Sequence, residues 1–165
     1  MLLASCSARS DDLDDAEVTF LQDMWHHHEQ AVRMALLVLD GDDAAEITRS
    51  FAVDVIASQR HEMGMMDGYL LAAGEERAAA GAHGAMPGMA SAEQLEALAT
   101  ASESRLDAIF LDLMIEHHHG GIAMAEDALD DDLRERISDL AERIRNTQRL
   151  EIADMEAAQE VLGVE

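Results

Sequence analysis

Apolar residues recur along this chain at steps of three and four, the period of an amphipathic helix and not of a strand. Four long stretches carry the pattern. The first covers about residues 16–40 and ends in Gly41-Asp42-Asp43; the second covers about residues 44–73 and ends at Gly74. The third covers about residues 104–129, and the fourth follows Asp130-Asp131-Asp132 and ends near Leu162, with Gly163 as its stop. The aspartate triplet is expected to cap the fourth helix, because carboxylates accept from the free N–H groups of a first turn. Ser91 and Gln94 form the capping box of a shorter helix ending near residue 101. Residues 74–90, with the only proline, are expected to be a flexible loop.

The pattern occurs twice. Phe20, Leu21, Met24, His27, His28, Val32, Met34 and Ala35 are matched ninety residues later by Phe110, Leu111, Met114, His117, His118, Ile122, Met124 and Ala125. Gln59, Arg60, Glu62 and Met66 are echoed by Gln148, Arg149, Glu151 and Met155. Two such helical hairpins, residues 16–73 and 104–163, would pack as an all-α four-helix bundle with approximate twofold symmetry. The bundle is expected over residues 16–165, behind a polar tether at 1–15.

Each residue turns about 100° around a helix axis. With Met24 at zero, Phe20, Ala31, Ala35 and Val38 form the buried stripe and His28 lies inside it. His27 sits on the shoulder near Met34, and His26 points outward. The third helix repeats this: Met114, His118 and Gly121 face in, His117 and Met124 form the shoulder, and His119 faces out. On the second and fourth helices, Glu62 and Glu151 fall in the middle of apolar stripes, with Gln59 and Gln148 at the edges. A buried carboxylate without a partner costs several kcal/mol. The inward histidines are the available partners, with arginines as competitors.

Composition narrows the function. The chain carries 35 acidic residues against 11 Arg and no Lys, a formal charge of −24. Nucleic acid, anionic membrane surfaces and acidic substrates would be repelled, whereas cations would be attracted. The 11 Met and 8 His are soft or borderline metal donors. Two inward histidines, flanking methionines and a buried glutamate, built twice, point to a metal-binding constellation more than to a structural ion pair. His83, Met86 and Met89 in the loop are a separate set, and thioether with imidazole favours Cu(I) or Ag(I) over Zn, Mg or Ca. Cys6 follows Leu3-Ala4-Ser5, which matches the end of a bacterial lipoprotein signal and makes Cys6 a candidate for lipidation. A lipid there is the only expected membrane contact.

The doubled Phe-Leu-x-x-Met-x-x-His-His and x-Met-Ala blocks, the Gln-x-x-Glu-x-x-x-Met blocks and the Met86-Pro87-Gly88-Met89 loop resemble the DUF305 family over about residues 17–160. The resemblance implies a ferritin-like four-helix fold and, through CopM-type members, an extracytoplasmic copper-binding protein, periplasmic or at the cell surface, that limits copper toxicity. The positions that carry over are Met24, His27, His28, Met34, Met114, His117, His118 and Met124, with Met86 and Met89 in the loop. A copper transporter or another copper protein would be its partner.

The preferred reading is therefore a non-catalytic Cu(I)/Cu(II) buffer or chaperone, whose binding should weaken below about pH 6 as histidine protonates. The second reading is a di-iron or di-manganese carboxylate protein. It would use Glu62 and Glu151, but no Glu-x-x-His accompanies the inward histidines as such sites require. The third is a helical module whose Glu–His contacts only fix helix register.

Overall fold

The computed structural model describes residues 13–82 and 84–164, so Cys6 and His83 lie outside the described residues. It is all-helical: α1 (Asp15–Leu39), α2 (Glu46–Ala73), α3 (Ala92–Thr100), α4 (Glu103–Leu129) and α5 (Glu135–Leu162). The helix ends largely follow their local signals. Asp14 and Glu17 close a capping box on α1, and Ser91 and Gln94 close the expected one on α3. Gly74 and Gly163 end α2 and α5 with φ of 79° and 65°, the left-handed turn that glycine adopts without strain.

α1 pairs with α2 and α4 with α5, as the repeat requires, and the two hairpins join through α1 and α4. These two run antiparallel, because the first half of α1 shares an apolar cluster with the end of α4 and the second half of α1 shares another with its start. One cluster holds Phe20, Met24, Met66, Ala125 and Ile144; the other holds Met34, Val55, Phe110, Met114 and Met155. Between them a buried polar layer crosses the bundle: His27 and His28 from α1, Gln59 and Glu62 from α2, His117 and His118 from α4, and Gln148 from α5. Glu151 completes it from the edge. A core interrupted at mid-height by titratable side chains is the usual setting of a bundle metal site.

The start of α5 departs from expectation. Its N-cap is Arg134, with no side-chain cap of its own, so the Asp130-Asp131-Asp132 triplet does not cap it. The cap comes from the other hairpin. Buried Glu17 accepts from the Arg134 backbone N–H at 2.7 Å and from its guanidinium at 2.9 Å. Ninety residues on, buried Asp107 of α4 accepts from the N–H of Ala45, the N-cap of α2, at 3.0 Å. Each hairpin thus caps the second helix of the other, and folding of one half supports the other. Glu17→Gln should cost about 2 kcal/mol in chemical denaturation, since it weakens charge-assisted bonds to a partly exposed arginine. A loss below about 0.5 kcal/mol would show that the cross-cap contributes nothing, because that is the noise level of an ordinary surface change.

Candidate metal centre

The polar layer is built from adjacent histidines on two helices that cross at its centre. His27 and His117 stack there, ring centroids 3.8 Å apart and planes inclined by 34°. His117 Nε2 donates to the backbone oxygen of His27 at 2.9 Å, and His27 Nε2 donates to the oxygen of Pro87 at 3.1 Å. Their neighbours face outward from the centre, each toward its own hairpin partner. His28 Nε2 lies 2.8 Å from Glu62 Oε2, and His118 Nε2 lies 2.8 Å from Glu151 Oε2. The carboxylates that sequence placed in apolar stripes therefore do find the inward histidines. The halves are not equivalent: Glu151 is 19% exposed at its side chain against 6% for Glu62, and Ser58 Oγ of α2 also donates to Glu151.

These partners fix the tautomers. A ring nitrogen facing a carbonyl or carboxylate must carry the proton, so in each neutral imidazole the lone pair sits on Nδ1. All four Nδ1 atoms, of His27, His28, His117 and His118, are buried and without a hydrogen-bond partner. An unmet buried acceptor costs about 1–3 kcal/mol, and four in one layer call for an explanation. A ligating histidine characteristically gives its other N–H to a carboxylate or carbonyl, which orients the ring and raises its basicity. That is the state of all four rings.

The layer also keeps its central rings neutral. Burial, reinforced by the repulsion that a proton on His27 would meet from one on His28 or His118, pulls His27 down from 6.5 to about 3 against the opposing pull of the Pro87 carbonyl. Burial first, then the repulsion that a second proton among His27, His118 and His28 would bring, holds His117 well below 6.5. Neutral imidazole is the ligating form. At His27 the unfolded chain binds more protons than the folded one between pH 6.5 and about 3, so the stability linked to this ring is whole above 6.5 and declines as pH falls through that window, with His117 acting in the same direction. The slope approaches about 1.4 kcal/mol per pH unit for each such histidine. Acid should therefore loosen the fold before it protonates folded His27 and His117, so release by direct protonation of these two rings falls well below pH 6. Denaturant midpoints from pH 7.5 to 4.5 check this against a His27→Leu/His117→Leu variant, which should lose much of the acid sensitivity. Identical pH profiles would place the sensitivity elsewhere.

Sulfur flanks the layer on both sides. Met24, Met34, Met66, Met114 and Met155 are fully buried, Met24 and Met66 in one apolar cluster and Met34, Met114 and Met155 in the other. Met24 and Met114 precede the histidine pairs by three and four residues, one turn away on the same helix face. Met66 and Met155 follow Glu62 and Glu151 by four. Met124 is only half-buried, unlike its mate Met34. Among the described residues no three His, Cys, Asp or Glu side chains gather around one point. Nitrogen and oxygen donors alone thus do not form a ready cage, and a closed ligand set would have to include thioethers.

The loop is tethered more closely than its composition implied. Gln22, His26 and Gln30, at successive turns of α1, bond to the backbone oxygens of Glu76, Ala78 and Ala90. The Ala90 N–H returns a bond to Gln30 Oε1 at 2.7 Å. His26 is therefore not the outward, solvated residue its helical angle implied: its Nε2 is 2.8 Å from the Ala78 oxygen, and the loop lies over it. His119 is exposed as expected. Gly120 lets the loop cross α4 backbone to backbone, since a Cβ there would lie 2.1 Å from the Pro87 oxygen. That crossing holds the Pro87 carbonyl over His27. Met86 and Met89 line one cavity of about 510 Å³ together with His26 and Glu29. The sequence signal for the tether was polar residues at 22, 26 and 30, a stripe that a single-helix view assigns to solvent.

Comparison with known proteins finds the same fold in DUF305 structures. A DUF305 fragment from Deinococcus radiodurans is 36% identical, with a TM-score of 0.82 over 92% of this chain and 98% of that one. A DUF305 protein from Streptomyces coelicolor, provisionally described as secreted, is 30% identical, with a TM-score of 0.84 over 94% of this chain and 97% of that one. CopM in its Cu(I)-bound form is 26% identical, with a TM-score of 0.72 over 87% of this chain and 95% of that one. No curated protein matches the chain at a significant level. The family model for DUF305, a domain of unknown function, matches residues 17–159, which hold the whole polar layer, the loop and nearly all of both hairpins, and the chain belongs to that family.

Proposed function

We propose that this protein is an extracytoplasmic copper-binding protein, a buffer or chaperone that contributes to copper tolerance, with histidine and methionine as ligands. The observation that carries the reading is the set of four buried imidazoles whose Nε2 atoms are all engaged and whose Nδ1 atoms are all free of partners. His27, His28, His117 and His118 would supply nitrogen. Met24, Met114, Met66 and Met155 would supply sulfur from above and below, with Met34 and Met124 beyond them. Glu62 and Glu151 would orient His28 and His118 rather than bind the ion directly. Soft donors without thiolate favour Cu(I), with Cu(II) as a second state at the nitrogen-rich centre. Met86, Met89 and His26 would form a second, more accessible site beneath the loop.

The likeness to CopM and the secreted description of the Streptomyces relative support copper and an extracytoplasmic place. No helix of the described residues is long and apolar enough to cross a membrane. The acidic surface draws cations toward the bundle, and a copper transporter or another copper protein would exchange the ion with it. The carboxylate di-metal reading fares worse, because Glu62 and Glu151 each serve their own histidine.

Anaerobic Cu(I) titration of the full chain against a competing chelator tests the proposal. Tight binding that survives Met86→Leu/Met89→Leu at reduced stoichiometry is expected. No competition for Cu(I), or purification with two iron or manganese ions per chain, would overturn it.

A further inference from the structure

The two halves of the bundle differ in what covers them. α3 lies across α1 and α4, and its Leu95 and Leu98 are buried in the cluster that contains Met34, Val38, Phe110 and Leu113. Shifting those positions by the ninety-residue register gives Met124, Ala128, Phe20 and Asp23. These residues line an open groove of about 500 Å³ between the start of α1 and the end of α4. The groove is thus the twofold mate of the seat that α3 occupies. Its floor keeps the apolar character of that seat in Phe20, Met124 and Ala128. Its rim does not: Leu113 becomes Asp23 and Leu37 becomes Asp127, with Asp15 and Asp131 alongside. No basic residue lines it. The same difference explains why Met34 is fully buried beneath α3 while Met124 is half-buried in the groove.

We propose that this groove is a docking seat for a cationic amphipathic helix of a partner protein. Shape and charge both select that occupant. The seat's twin holds a nine-residue helix that inserts leucines three residues apart, so two to three turns with apolar residues at that spacing fit the floor. Asp15, Asp127 and Asp131 on the rim select lysine or arginine on the flanks, and an apolar floor with a charged rim gives both affinity and steering. A half-exposed methionine is a side chain that adapts to a partner's surface. A second copy of this chain is disfavoured, because two bodies of formal charge −24 repel. Residues 1–12 carry one Arg against two Asp and lack the cationic flanks.

The test uses a twelve-residue Leu–Lys helical peptide, fluorescein-labelled, and its Leu–Glu counterpart, added to the full ¹⁵N-labelled chain at physiological salt. The Leu–Lys peptide should bind, with amide shifts confined to residues 15–23 and 124–131, and the Leu–Glu peptide should not. Thr19→Arg, on the groove wall, should weaken binding at least tenfold. Asp54→Asn, an equal charge change of one unit on the exposed face of α2, should leave it within twofold. Shifts scattered over the acidic surface, equal losses in the two variants, or equal binding of the Leu–Glu peptide would each overturn the proposal. So would a cross-link showing residues 1–12 already in the groove. Melting of each variant by circular dichroism confirms that the fold is intact before binding is scored.

Discussion

Replacing His27 and His117 together by leucine should weaken Cu(I) binding at least a hundredfold while leaving the fold as stable as before, within about 1 kcal/mol. The two expectations have one cause. Both rings are fully buried, both have an unmet Nδ1, and each desolvates the other. Exchanging a buried polar pair for apolar groups of similar volume is often neutral or favourable, because the desolvation cost disappears with the pair. The carbonyls of His27 and Pro87 lose a donor each, which offsets part of that gain. Affinity has no such compensation. Losing one orienting partner beyond the ligands already costs about 10- to 100-fold, and here the nitrogen donors themselves go. Chelator competition and thermal melting on the same samples give both readouts. Intact affinity with a lower melting temperature would make the pair structural.

Glu62→Ala should have the opposite balance, with the largest stability loss of any single change in the layer, about 3–5 kcal/mol. Removing the carboxylate leaves the His28 Nε2–H buried with no acceptor, in a layer where Nδ1 already lacks a donor. Copper affinity should fall about 10- to 100-fold as well, because His28 loses the group that sets its ring plane and tautomer. Glu151→Ala should cost less than half as much stability. Its carboxylate reaches solvent, so water can replace it at His118, and the screened pair contributes less from the start. Urea denaturation of both variants decides this. Equal losses, or losses below 1 kcal/mol for Glu62→Ala, would show that the His28–Glu62 contact does not organise the layer.

Much of this layer was legible before any coordinates. Helical period, the ninety-residue repeat and the need of a buried carboxylate for a partner together named the inward histidines, with arginines as competitors, as partners of Glu62 and Glu151; the structure gives that place to His28 and His118. What stayed hidden depends on neighbours that one helix cannot reveal. His26 sits on a face that would be wet if α1 stood alone, yet the loop covers it. Glu17 and Asp107 look like ordinary acids near a helix start, and only the antiparallel docking of α1 on α4 brings them to the opposite hairpins. The Asp130-Asp131-Asp132 triplet has the right composition for a cap, but Glu17 already occupies that place. Met34 and Met124 are identical in the repeat and differ because α3 covers only one of them. Gly120 gives no signal of its own until the loop is seen to cross it.

Which ring nitrogen holds the ion separates a metal centre from a purely structural layer. Long-range ¹H–¹⁵N correlation spectra of the full chain, recorded while Ag(I) is titrated in place of Cu(I), report each imidazole nitrogen separately. With Nε2 of His27, His28, His117 and His118 engaged by carbonyls and carboxylates, Ag(I) should move the Nδ1 signals of rings in this layer, together with the methyl signals of Met24 or Met114. Nε2 should stay protonated throughout. Silver that leaves all four Nδ1 signals in place, or that binds through Nε2 with loss of its proton, would contradict the central claim.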